Sequence, residues 1–221
     1  MKFKAAPILV VICTLFVTLS NAQRYRIQNG IGLYGGLSKY DIKTSDFITE
    51  EQNGWLIGAA ATVDLPHKWY NVSYNIQLAQ NKIGISAFVP GTTQDEFLNH
   101  KLFTAQIALL GHLKLIGKNL TIDAGPMIQY NGDLDIEDSS KENYIVSGYN
   151  TMTVNNLSEV SNFNVNGAIG VSAGFDRISL RAQYIYGFTN MLNKLNKQNF
   201  AENSDFQGNQ SMLVFSAIVT F

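Results

Sequence analysis

Four ionisable residues, Asp64, Lys114, Asp123 and Arg181, fall on the polar side of segments whose other side is wholly apolar, and His112 falls beside them. Two carboxylates, an ammonium, a guanidinium and an imidazole are the groups that proton transfer uses. They are also the groups that neutralise one another, and a buried charge without a partner is very costly. An ion-paired interior cluster is the expected reading, with a proton relay as the sharper alternative. The acidic run Asp133-Leu-Asp135-Ile-Glu137-Asp138 fails as a calcium loop. Counted from Asp133, the glycine and glutamate such a loop wants at its sixth and twelfth places are Asp138 and Tyr144. The three histidines, His67, His100 and His112, are scattered, with no serine or carboxylate in an obvious relation to any of them. A lipid-directed Ser–His site should face the bilayer, whereas His112 faces away from the apolar side. No catalytic residue, cofactor or metal site is expected, and the chain is not read as an enzyme.

These positions rest on eight alternating segments: 30–40, 54–65, 69–80, 101–115, 120–130, 163–175, 178–188 and 212–221. Each has an uncharged apolar set at every second residue, for example Tyr70, Val72, Tyr74, Ile76 and Leu78. The opposite set in that segment is Asn71, Ser73, Asn75 and Gln77. A period of two with one apolar face is a half-buried strand. Segments of about 9–13 residues suit tilted strands that cross a bilayer. Pro126 cannot donate to a ladder, so a local bulge is expected there.

The connections alternate in length. Residues 66–68, 116–119 and 176–177 are short turns, while 41–53, 81–100, 131–162 and 189–209 are long. Short turns at one end and long loops at the other fit a transmembrane barrel. The aromatic residues gather at both ends of the apolar sets. Trp55, Phe103, Tyr130, Phe163 and Phe188 lie toward the long loops; Tyr70, Phe175 and Phe221, with Trp69 beside them, lie toward the short turns. Two such rings are an aromatic girdle. Ile57, Ile107, Ile169 and Leu180 would then meet lipid at mid-depth, and an arginine there should cost more than one at Gln106 or Asn166.

The chain opens with Lys2 and Lys4, an apolar run over 5–19 and the small residues Ser20-Asn21-Ala22. That pattern is a cleaved secretory signal over 1–22, leaving residues 23–221 as one barrel domain. Cys13, the only cysteine, lies inside the apolar run, so no disulfide or thiolate metal site is expected afterwards. Without Lys2 and Lys4 the chain keeps 14 basic against 17 acidic residues, a net of −3, which argues against a nucleic-acid partner.

The last ten residues alternate from Phe221 back through Val219, Ala217, Phe215 and Leu213. The stretch resembles the C-terminal strand of bacterial outer-membrane barrels, and the resemblance implies that Phe215 and Phe221 are read by the barrel-insertion machinery. With its signal, its Gly-rich first segment (Gly30, Gly32, Gly35, Gly36) and its Phe221 end, the chain is similar to the PorT-like and OmpX-like small barrels of Gram-negative bacteria. The resemblance implies an all-β fold, an eight-stranded antiparallel up-and-down transmembrane barrel in the outer membrane. It also implies contact with outer-membrane lipid and a protein partner reached through the long loops. The expected role is a structural or interaction scaffold, with a secretion assembly among the possibilities that the family offers. A small-solute pore is the alternative, and a soluble lipocalin-like carrier, with its apolar face turned inward, is the third.

Overall fold

The computed structural model describes residues 28–89, 92, 94–198 and 205–221. The signal expected over 1–22, with Cys13, and residues 23–27 lie outside the described residues.

The strands are β1 (Gln28–Thr44), β2 (Thr49–Asp64), β3 (Tyr70–Phe88), β4 (Asp95–Ile116), β5 (Leu120–Ile136), β6 (Ile145–Val146), β7 (Phe163–Phe175), β8 (Ile178–Gly187) and β9 (Gly208–Thr220). Eight of them form one antiparallel ring in which each pairs with its neighbours along the chain, and β1 pairs with β9 from Gly32↔Thr220 to Thr44↔Gly208. The two-residue β6 adds to the far end of β3. Closure leaves no open edge between these strands, which is what a sheet in hydrocarbon requires.

The outer face of the barrel carries the apolar sets. Ile57 (54% exposed), Ile107 (44%), Ile169 (58%) and Leu180 (64%) all point outward, and Ile57, Ile76, Ile107 and Ile128 stand on neighbouring strands close to one level. The inner face carries the polar sets, with Asn75, Gln77, Gln106, Gln129 and Asn166 buried. An apolar outside and a polar inside are the reverse of a soluble carrier, so the lipocalin-like alternative falls.

The strands run well beyond the expected segments at the long-loop end. The connection expected over 41–53 is mostly strand, with only residues 45–48 outside β1 and β2, and most of 81–100 belongs to β3 and β4. The reason lies in the side chains. Above the level of Phe103 the apolar residues change faces: Tyr40, Ile42, Ile83, Ile85 and Leu98 are all fully or almost fully buried inside, while Lys39, Lys43, Lys82 and Lys101 stand outside with exposed or half-exposed ammonium groups. Outside the membrane, water takes the place of lipid, so the ladder continues with its pattern reversed.

The bulge expected at Pro126 does not occur. Pro126 stands opposite Gly167 in an unbroken register with β7. Toward β4 the recorded pairing passes from Ala108↔Met127 to Gly111↔Ala124, three residues on each side, so no residue is inserted. The irregularities lie elsewhere, between Glu51 and Trp55, between Leu102 and Thr104, and between Lys114 and Ile116. The first two fall beside Trp55 and Phe103, where the strands leave the apolar belt, and bulges commonly re-aim a strand at such a rim.

Candidate functional site

Inside the barrel the buried side chains form three layers. The layer nearest the short turns holds two ion pairs. Lys114 Nζ lies 2.8 Å from Asp64 Oδ1 and also donates to the Leu65 carbonyl. Arg181 Nε lies 3.3 Å from Asp123 Oδ2. The four residues therefore form two separate ion pairs rather than one cluster. Asp123 is fully buried. It is held by Thr121 Oγ1 at 2.6 Å, by His112 Nδ1 at 2.6 Å and by the Ser172 hydroxyl.

His112 has partners that its sequence neighbourhood does not disclose. Its Nε2 stands 2.6 Å from Ser73 Oγ, and Asn75 Nδ2 donates to that same oxygen at 2.7 Å. The expectation that no serine or carboxylate relates to a histidine is therefore corrected: Ser73, His112 and Asp123 lie in a row on β3, β4 and β5. They meet because the ladder sets Asn71 opposite His112 and His112 opposite Asp123. Inward-facing residues on adjacent strands become neighbours whatever their separation along the chain.

The middle layer is a chain of amides. Tyr34 on β1 crosses over Gly58 of β2, where a methyl group would come 2.5 Å from the tyrosine ring, and donates to Gln77 on β3 at 3.0 Å. Gln77 donates to Gln106 and Gln106 to Gln129. The Gln129 amide then reaches Gln210 on β9 and Asn131, each at 2.5 Å, and Asn166 donates back to Gln129 at 2.8 Å. Because Gln129 and Gln210 are on strands separated by β7 and β8, this chain crosses the lumen. A barrel of eight strands is just wide enough for side chains to fill.

The third layer closes the long-loop end. Residues 137–162 and the described part of 188–207 carry Met152, Val154, Leu157, Met191, Leu195 and Phe206, each nearly or fully buried against Tyr40, Ile42 and Leu102 of the strands. Short 3-10 turns at Val154–Ser158 and Leu195–Lys197 present these side chains. Asn190 and Asn196 hold the Phe206 carbonyl at 2.7 and 3.0 Å. Part of the acidic run belongs to this rim. Glu137 bridges Lys82 at 2.7 Å and Lys101 at 3.2 Å, and the hydrogen bond from Lys82, then that from Lys101, holds its carboxyl below the usual range. Asp138 caps the turn at Ser139–Lys141.

On the outside, Trp55, Phe103, Tyr130, Phe163 and Phe188 are 44–65% exposed at the long-loop end. Phe175 (81%), Phe221 (72%) and Trp69 (68%) are exposed at the short-turn end, with Tyr70 half-buried and edge-on to Trp69. Between the rings the outer surface is an apolar belt, and a closed barrel with such a belt and a polar interior is built to span a bilayer. The chain folds as a bilayer-spanning β-barrel of the outer-membrane type. Its fold is similar to that of Ail, the attachment invasion locus protein of Yersinia pestis, solved with the heparin analogue sucrose octasulfate: 8% identity, 88% of this chain and 99% of that one, TM-score 0.50. Neisserial surface protein A (10% identity, 89% and 99% covered, TM-score 0.47) and the translocator domain of the autotransporter NalP from Neisseria meningitidis (9%, 98% and 97%, TM-score 0.30) also match. No family model and no curated protein matches the chain.

Phe221 ties down the closing seam, since its N–H donates to the Ile31 carbonyl at 2.8 Å, and Phe215 faces outward on the same strand, 55% exposed. Deleting Phe221 should lower the folded fraction in the outer membrane while export across the inner membrane continues. Unheated gel migration of wild type and deletion measures this. Equal folded fractions would remove the insertion role.

Proposed function

We propose that this protein is a non-conducting scaffold of the outer membrane that acts through the cap at its long-loop end. The observation that carries the reading is the filled interior: an amide chain crosses the lumen and an apolar cap closes the far end. A pore for small solutes needs a continuous polar path, and the cap interrupts it with side chains such as Phe206 and Met191. The Ser73–His112–Asp123 row is structural on this reading. Ser73 is 1% exposed, and the backbone around it is spent in ladders with β2 and β4. The side-chain amide beside it, Asn75, donates to Ser73 Oγ itself rather than to a space where an oxyanion would form. The cap, in contrast, is an ordered surface held on a rigid barrel, the usual place for recognition. A place in a secretion assembly, as the PorT-like resemblance implies, is the finer form of the same proposal.

The test is photo-crosslinking in native membranes from Asn143 and Asn155, both exposed on the cap, with Ile57 on the belt as the comparison. A discrete protein adduct from the cap positions and none from Ile57 is the expected result. No adduct at either cap position in growing cells would contradict the scaffold role.

A further inference from the structure

Below the amide chain, at the short-turn end, side chains leave part of the lumen open. Gly30 and Gly32 of β1 and Gly174 of β7 fall on the inward parity and present no side chain. Beside them an inner cavity of about 130 Å³, room for several waters, meets a mouth of about 370 Å³, and the two share Thr62, Asn71, Ser179 and Thr220 as walls. Arg181 lines the inner cavity and is 8% exposed. Its Nε is turned to Asp123 and Ser172, whereas its two terminal amino groups have no hydrogen-bond partner among the described residues. The hydroxyls of Thr62, Ser179 and Thr220 are likewise uncommitted, as is the Asn71 Nδ2, whose Oδ1 accepts from the Leu65 N–H. Lys118 and Arg177 stand at the mouth against Asp176, and against an Asp64 already paired with Lys114.

We propose that this cavity binds one phosphate-class oxyanion, which enters from the water at the short-turn mouth. In the middle layer the polar groups satisfy one another, Gln77 to Gln106 to Gln129. Here the wall offers more donors than acceptors, and a buried donor without a partner is costly. The outer edge of the guanidinium is a fork that takes two oxygens of an anion. The hydroxyls and the Asn71 amide can reach further oxygens, which a tetrahedral oxyanion has and a carboxylate lacks. Asp123 lies behind the guanidinium and is engaged by Thr121, His112 and Ser172 as well, so it does not occupy that edge. The barrel wall separates the cavity from lipid, and the anion therefore arrives free in solution.

The test titrates inorganic phosphate into the folded barrel in mild detergent by isothermal titration calorimetry, with ionic strength held constant by sodium chloride. One saturable site per barrel is expected. Acetate, with only two oxygens, should bind about tenfold more weakly, the effect of one lost charge-assisted hydrogen bond. Arg181→Lys keeps a cation beside Asp123 but has no fork, and should weaken phosphate binding about tenfold or more. Lys118→Glu, in an exposed turn at the mouth, should weaken it about three- to tenfold. Lys197→Glu makes the same change of charge on the cap at the opposite end and should leave binding within about twofold, since salt screens so distant a charge. Should Arg181→Lys not fold, Lys118→Glu carries the comparison alone. No saturable phosphate site, acetate bound as tightly, or binding unchanged in the Arg181 and Lys118 variants would overturn the proposal. So would an equal loss in Lys197→Glu, which would mark a response to net charge alone.

Discussion

Replacing Arg181 with alanine should destabilise the folded barrel by about 3–5 kcal/mol, the cost of leaving a buried charge without its partner. Asp123 is fully buried and Arg181 is 8% exposed, so without the guanidinium the carboxylate keeps only its hydrogen bonds to Thr121, His112 and Ser172. Asp123→Asn in the Arg181→Ala background should recover part of the loss, because the neutral amide still accepts from Thr121. Lys114→Ala should cost less, since the Asp64 side chain is 23% exposed and can be solvated from the short-turn mouth. Urea titration of the lipid-folded variants measures all three. An Arg181→Ala loss below about 1 kcal/mol, the level of an exposed pair, would remove the ion pair from the account of stability.

An arginine at Ile107 should cost about 2–4 kcal/mol, because the side chain would sit at the bilayer midplane. Ile107 stands opposite Ile76 on one side and Ile128 on the other, with no polar residue in the row. The same change at Ile48, exposed in the turn beyond the outer aromatic ring, should cost about 0–1 kcal/mol, as positions near or beyond the interface do. Equal costs at the two positions would contradict the placement of the belt. The expected contrast with the inner face changes, however. Gln106 is 1% exposed and hydrogen-bonded to both Gln77 and Gln129, so an arginine there overpacks a filled interior and is costly for a different reason.

The membrane-spanning half of the barrel was legible because one physical rule governs it. Lipid demands an apolar residue at every second position, and Tyr74, Ile76 and Leu78 obey it without exception. The extramembrane half was not legible as strand, because the rule reverses there. In β3 the apolar parity passes from even residues to odd ones, Ile83, Ile85 and Ala87, and the even places carry Lys82, Gly84 and Ser86. Read with one fixed parity, that stretch looks like a loop. Pro126 misled for a related reason: proline argues for an irregularity, yet this one stands in register with β7, opposite Gly167. The interior pairs followed from parity alone as far as facing one another. That His112 would join Ser73 to Asp123 depended on cross-strand register, which a sequence without turn geometry does not specify.

The claim that the barrel is filled and capped is tested most directly by planar-bilayer conductance of the purified, folded protein. The expected result is no stepwise current above the bare bilayer across the voltage range, because the Gln77–Gln106–Gln129–Gln210 chain spans the lumen and the cap around Phe206 and Met191 closes its outer end. Steady, reproducible single-channel steps from the wild-type protein would contradict the account and favour a solute pore.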